Sequence, residues 1–181
     1  NNIKIYRSDA SDYRWRFCTI DLESGFGPNG WSDCYDNPLP HLYGGYMFTE
    51  VFTKSIQNTA YKNYFINRFA DIMNTTYHMN RVSAVENDFF AQTVIEMPNE
   101  YQRGGWASVP DMMNMFTNNR SYFLSQLSQR TESVRNSIEG HFSLNSQVDV
   151  TLNVYPEGAG HIKISTIVPD SLPWTGVYFH G

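Results

Sequence analysis

Two acidic residues and two glycines end a strand-like segment near the start of the chain. Residues 14–27 read RWRFCTIDLESGFG, in which Asp21 and Glu23 precede Gly25-Phe26-Gly27. A surface turn explains acids beside glycines, and so does a metal site, because Mg²⁺ binds carboxylate and amide oxygens. Asn2 supplies an amide oxygen just before an earlier strand-like segment. Taken alone, the residues leave both interpretations open.

A β-hairpin is predicted to hold these side chains. Ile3 and Ile5 alternate with polar residues, a polar turn follows, and the alternation resumes through Trp15, Phe17 and Thr19. This period of two makes Trp15 and Phe17 core residues and delivers Asp21 to a strand end. Protein kinases hold Mg²⁺ with an Asp that follows a short strand and an Asn of the catalytic loop.

The middle of the chain is predicted to be helical. Apolar residues at helical spacing indicate one helix over 58–77, and a second over 80–97 that Pro98 ends. A capping box at Ser108 opens a third helix that continues to about Glu139. The side chains expected to face the core are Tyr61, Phe65, Phe69, Ile72 and Thr76 in the first helix, and Val82, Val85, Phe89 and Ile95 in the second.

Residues 145–181 change to a period of two. Val148 to Val154 alternate, the turn 156–160 intervenes, and Ile162 and Ile164 resume the pattern, which predicts a second hairpin. A further strand is expected around 177–179. The fold class predicted from these segments is α+β: an N-terminal hairpin, a body of about three main helices and a small C-terminal β element.

Composition excludes several classes of protein. The formal net charge is −5 and no Lys/Arg-rich run is present, so we expect no nucleic-acid partner. No run of 18 apolar residues occurs, so no membrane-spanning segment is expected. The opening residues NNIKIYRSDA do not resemble a signal peptide and do not begin with methionine, so we expect the chain to be a piece of a longer protein. Cys18 and Cys34 fit either two buried thiols or a disulfide.

Four segments in this order resemble the CotH kinase-like family, the atypical protein kinases first known from spore coats. They are NNIKIYR, RWRFCTIDLESGFG, YFINRFADIMNTTY and VPDMMNMFTNNRSYFLSQL. The resemblance covers residues 1–142 and is to the C-terminal, C-lobe-like part of the kinase domain. Residues 143–181 resemble the β extension that follows this region in secreted bacterial members, which are often surface lipoproteins.

The resemblance implies a metal site. Asp21 stands where the family's strand carries a metal-binding Asp, Glu23 replaces its second acid with a longer side chain, and Asn2 is the best match to the metal-binding Asn, with Asn1 as a rival. The catalytic Asp and the ATP-binding N-lobe are expected upstream of residue 1. The parent protein is therefore expected to use Mg²⁺ and ATP to phosphorylate Ser or Thr of a protein substrate, and the fragment alone to be inactive.

An alternative from a different class remains open. A non-catalytic extracellular binding module, in which the acidic turn is structural, fits the many Tyr and Trp side chains. Both hypotheses place the protein outside the cytoplasm, secreted or anchored to the cell surface. Without an N-lobe, an exposed apolar face is expected, and this face could drive self-association.

Overall fold

The computed structural model describes residues 3–9, 12–19, 33–105 and 107–181, and the chain has the predicted α+β fold. Within these residues a helical body stands in chain order between two two-stranded sheets. The elements are strands β1 (Ile3–Tyr6) and β2 (Arg16–Thr19), a 3₁₀ helix (Leu39–Tyr43), helices α1 (Met47–Ser55), α2 (Thr59–Asn74), α3 (Met79–Thr93), α4 (Met97–Gly104) and α5 (Val109–Phe142), and strands β3 (Ser146–Leu152) and β4 (Trp174–His180). None of the described helices is long and apolar enough to cross a bilayer.

The N-terminal hairpin is confirmed, but one of its predicted core residues, Trp15, is not buried. Strands β1 and β2 pair antiparallel, with Ile3 opposite Thr19 and Tyr6 opposite Arg16. Trp15 was predicted to be a core residue, and this was wrong, because its side chain is 65% exposed. The guanidinium of Arg7 lies 5.2 Å from the Trp15 ring centroid, so the indole stacks against a cation rather than an apolar core.

The segment before α2 is fastened to helix α5. Arg130 Nη1 donates hydrogen bonds to the backbone oxygens of Cys34, at 3.2 Å, and of Asp36, at 2.6 Å. The Tyr43 hydroxyl meets His141 Nε2 at 2.8 Å. Aromatic rings of α1, α2 and α5 join this contact, so residues 34–43 are held by packing as well as by hydrogen bonds. The rings in contact are Tyr43, Phe52, Phe65, His141 and Phe142.

Helix α2 forms where predicted, with its buried face turned by one residue. The Asn58 side chain caps its start by accepting a hydrogen bond from the Tyr61 N–H. The predicted inward residues are half-buried or exposed, and each buried apolar residue directly follows one of them. These buried residues are Ile66, Ala70 and Met73. One residue corresponds to about 100° of rotation, and the helix is turned because it packs against strand β4 as well as α5.

The predictions for the following helices were partly wrong. Helix α3 ends at Thr93, and Pro98 lies in the first turn of a separate helix, α4, where its missing N–H costs nothing. No described residue of α3 is buried; Val85 and Phe89, which were predicted to face the core, are exposed. A hydrogen-bonded ion pair of 2.8 Å between Arg120 Nε and Glu86 Oε1 joins α3 to α5 instead.

Helix α5 begins as predicted and runs slightly further. The Ser108 hydroxyl accepts a hydrogen bond from the Asp111 N–H at 3.3 Å, as a capping box requires. The helix continues past Gly140 to Phe142 and ends at Ser143, which has a left-handed backbone conformation. Its buried apolar residues, Leu127, Val134 and Ile138, are all in its C-terminal half.

The C-terminal sheet has a different partner strand from the predicted one. Strand β3 pairs antiparallel with β4 from Ser146 opposite His180 to Leu152 opposite Trp174. Ile164, predicted to lie in the hairpin partner of β3, makes only an isolated bridge with Ile167. A long connection, residues 153–173, therefore separates β3 from β4. Strand β4 is held in place by helix α2, whose Asn74 side chain forms hydrogen bonds with the backbone of Val177.

Candidate functional site

The predicted metal ligands fall outside the described residues. The structure describes residues 3–9, 12–19 and 33 onward in this part of the chain, so Asn2, Asp21 and Glu23 are not among them. The described strands that lead to two of them are neighbours, because Ile3 pairs with Thr19. The hairpin register therefore brings together the strand ends from which the chain continues to Asn2 and to Asp21.

The two cysteines do not form a disulfide. Cys34 is buried beneath α5, where its backbone N–H donates to Gln126 Oε1 at 3.1 Å, while Cys18 is exposed on β2. Of the two alternatives that the sequence left open, the disulfide is therefore not formed, and the expectation of two buried thiols holds only for Cys34.

A buried polar cluster joins the helical body to the C-terminal sheet. Asp71 of α2 is completely buried. Its Oδ1 accepts a hydrogen bond from the Tyr178 hydroxyl at 2.8 Å. Its Oδ2 accepts from the Thr166 N–H at 2.8 Å and from the Thr166 hydroxyl at 2.5 Å. A buried carboxylate is tolerated only when it is this well bonded.

Asn74 and Arg135 continue the cluster along strand β4. The Asn74 side chain exchanges two hydrogen bonds with the Val177 backbone, at 2.9 and 3.0 Å, like an additional strand. Arg135 is 5% exposed and donates to Val177 O at 3.0 Å and to Asn74 Oδ1 at 2.8 Å. Helices α2 and α5 therefore hold the middle of β4 through polar side chains.

Burial shifts the protonation equilibria of two cluster residues. Desolvation, followed by the hydrogen bond to Asp71 and its negative charge, raises the pKa of Tyr178 far above the ordinary tyrosine value. Desolvation lowers the pKa of Arg135, and the proximity of Tyr178 opposes this change. Tyr178 is therefore a neutral donor to Asp71 across the physiological range, and the cluster has the character of an anchor rather than of a proton-transfer site.

Sequence reasoning did not identify this cluster. Asp71 and Arg135 each lie next to an apolar position that a helical pattern assigns to the core, Ile72 and Val134. An ionisable residue beside the apolar face of a helix was the only sign in the sequence that it could be buried. The same arrangement is common on half-exposed helix faces, so it does not identify a buried charge.

Two depressions adjoin the cluster. The Arg135 cavity, with a volume of about 400 Å³, is lined among others by Asn74, His78, Thr131, Arg135 and Trp174. The α2–α5 groove, with a volume of about 720 Å³, is mostly apolar and is lined among others by Ile72, Met73, Val82, Val85, Leu127 and Val134. Both are large enough for a small-molecule ligand.

The described residues offer no preformed metal centre, since they include no group of three or more His, Cys, Asp or Glu side chains placed to hold an ion. The comparisons with known proteins gave no match: no family model, curated protein or solved structure is significantly similar to the chain.

Proposed function

We propose that this chain is the C-terminal lobe of a CotH-type kinase-like protein that transfers the γ-phosphoryl group of ATP to Ser or Thr of a protein substrate, outside the cytoplasm. The observation that carries the proposal is the register of the N-terminal hairpin, in which Ile3 pairs with Thr19. This register makes neighbours of the strand ends that lead to Asn2 and Asp21. The α+β fold, with its helical body, is compatible with such a lobe.

The donor set suits Mg²⁺. Asp21 supplies carboxylate oxygens, Asn2 an amide oxygen, and Glu23 a further carboxylate with a longer side chain. When bound, the ion would neutralise charge on the nucleotide phosphates. The chain's own part would be to hold the ligands at adjacent strand ends, while the base and the nucleotide-binding roof would come from the preceding part of the protein.

Calorimetry on the full-length protein tests the proposal. Mg²⁺-ATP is titrated into the wild type, Asp21→Ala and Asp170→Ala; Asp170 is an exposed acid near the C-terminus and serves as the charge-matched control. We expect Asp21→Ala to weaken binding at least tenfold and Asp170→Ala to bind like the wild type. Equal isotherms for Asp21→Ala and the wild type would overturn the metal role and leave the non-catalytic binding module as the better hypothesis.

A further inference from the structure

The α2–α5 groove and the Arg135 cavity are adjacent and together form a two-part depression on the protein surface. Met73 and Thr131 line both parts, so the two parts meet at these side chains. Their volumes, about 720 and 400 Å³, each fall in the range of roughly 300 to 1,000 Å³ that is usual for small-molecule sites. The depression therefore suits an elongated small molecule with one end in each part.

The lining of the groove end is mostly apolar. Met73, Leu127 and Val134 are buried beneath it, whereas Val85 on the rim is 63% exposed. Water against such a surface is unfavourable, so an alkyl chain that covers it gains free energy in proportion to the apolar area that it buries.

The cavity end carries a buried cation with unused hydrogen-bonding capacity. A guanidinium has five N–H donors, and Arg135 uses two of them, both on neutral oxygens. No carboxylate of the described residues forms an ion pair with it. Desolvation of this charge lowers the pKa of Arg135. An anion bound beside the guanidinium would stabilise the charged form and so oppose this effect of burial.

The charge along the whole depression is complementary to an anion. Arg81 and Arg130 line the groove in addition to Arg135 in the cavity, and no acidic residue is among the described residues that line either part. This is a local reversal, because the chain has 18 Asp and Glu residues against 13 Lys and Arg. Selection of an anionic ligand over a neutral one is the expected result.

We propose that the depression binds a long-chain carboxylate, with its carboxylate at Arg135 and its alkyl chain in the α2–α5 groove. The site uses none of the residues of the proposed metal site and does not depend on kinase activity.

Binding of laurate to the chain, compared with the neutral dodecanol, tests the chemistry of the ligand. Calorimetry below the concentration of micelle formation should give saturable binding of one laurate per chain. Dodecanol should bind about tenfold more weakly, because it cannot form the charge-assisted hydrogen bonds to a guanidinium. Absence of saturable laurate binding, or equal affinities for the two compounds, would overturn the proposal.

Two pairs of variants test the placement. Val85 in the groove and Val51 on helix α1 are 63% and 61% exposed, so either can be replaced by Asp with little effect on folding. Val85→Asp should weaken laurate binding about tenfold and Val51→Asp should leave it unchanged; equal effects would refute the groove as the site of the alkyl chain. Arg135→Met should abolish the preference for laurate over dodecanol, and Arg81→Ala should preserve it. Loss of the preference in Arg81→Ala would refute the position of the carboxylate.

Discussion

Replacing Asp71 by alanine should destabilise the protein strongly, because this carboxylate holds the C-terminal sheet on the helices. The change removes three hydrogen bonds and leaves the Tyr178 hydroxyl and the Thr166 N–H without their acceptor. Each buried donor left without a partner costs about 1–3 kcal/mol. The Thr166 hydroxyl adds little, because that residue is exposed and its side chain can turn to water. The two donors together therefore give an expected loss of about 2–6 kcal/mol.

The measurements are urea-induced unfolding and thermal unfolding, both followed by far-UV circular dichroism. For a chain of this length, each kcal/mol of lost stability lowers the melting temperature by about 2–4 °C, so the melting temperature of Asp71→Ala should fall by roughly 10 °C. Asp88→Ala is the matched control, since Asp88 is an exposed helical acid that accepts one hydrogen bond from Gln92. It should change the free energy of unfolding by less than about 0.5 kcal/mol. Losses of equal size in Asp71→Ala and Asp88→Ala would refute the anchoring role.

A double-mutant cycle separates the anchoring bond from general damage. Asp71→Ala and Tyr178→Phe remove opposite ends of one 2.8 Å hydrogen bond. The two changes together should cost less than the sum of the single changes, with a coupling energy of about 1–3 kcal/mol. Additive losses would show that Asp71 and Tyr178 stabilise the protein independently.

Two further predictions concern strand β4. Tyr178→Phe should reduce the loss of stability that the wild type shows above pH 10. The raised pKa of Tyr178 keeps its hydroxyl protonated in the folded protein, whereas the same side chain ionises near pH 10 in the unfolded chain. The unfolded state then binds fewer protons than the folded state, so the stability of the wild type falls as the pH rises. Above pH 10 the free energy of unfolding of the wild type should fall by up to about 1.4 kcal/mol per pH unit more than that of Tyr178→Phe. Urea midpoints that change equally with pH in the two proteins, from about pH 9 to 11, would contradict this. Gly176→Ala should lower the free energy of unfolding by about 1–3 kcal/mol in urea, because an added Cβ would overlap the Trp174 ring. Gly160→Ala is the control and should be nearly neutral, because a Cβ there meets no neighbour. Equal stabilities of the two variants would show that the Trp174 ring moves aside freely.

The sequence predicted the elements better than it predicted their packing. The N-terminal hairpin, helix α2 and the start of α5 at Ser108 follow from local alternation, helical spacing and capping, all of which depend on neighbouring residues. The pairing of β3 with β4 depends on contacts between distant residues. Local turn residues at 156–160 favoured the nearest apolar segment, whereas Asn74 fixes the last strand instead.

The buried cluster was missed for a related reason. A hydrophobic pattern identifies one stripe on a helix, but α2 is covered on two sides, and the second side carries Asp71 and Asn74. Polar side chains that hold a strand through hydrogen bonds do not appear in a pattern of apolar residues, so hydrophobic periodicity cannot identify them. Helix α3 shows the opposite case, because Val85 and Phe89 follow the helical period of a core face and yet are exposed. Periodicity identifies an apolar face without showing what covers it.

Paramagnetic broadening by Mn²⁺ tests the central claim, that the end of the N-terminal hairpin holds a divalent metal ion. Mn²⁺ titrated into the chain should broaden the amide resonances of Ile3, Cys18 and Thr19 first, since these residues lie at the strand ends that lead to Asn2 and Asp21. Val148 and Val150 of strand β3 should keep their line widths at the same Mn²⁺ concentration, and Asp21→Ala should abolish the selective broadening. Uniform broadening along the chain, or selective broadening that persists in Asp21→Ala, would contradict the proposed site.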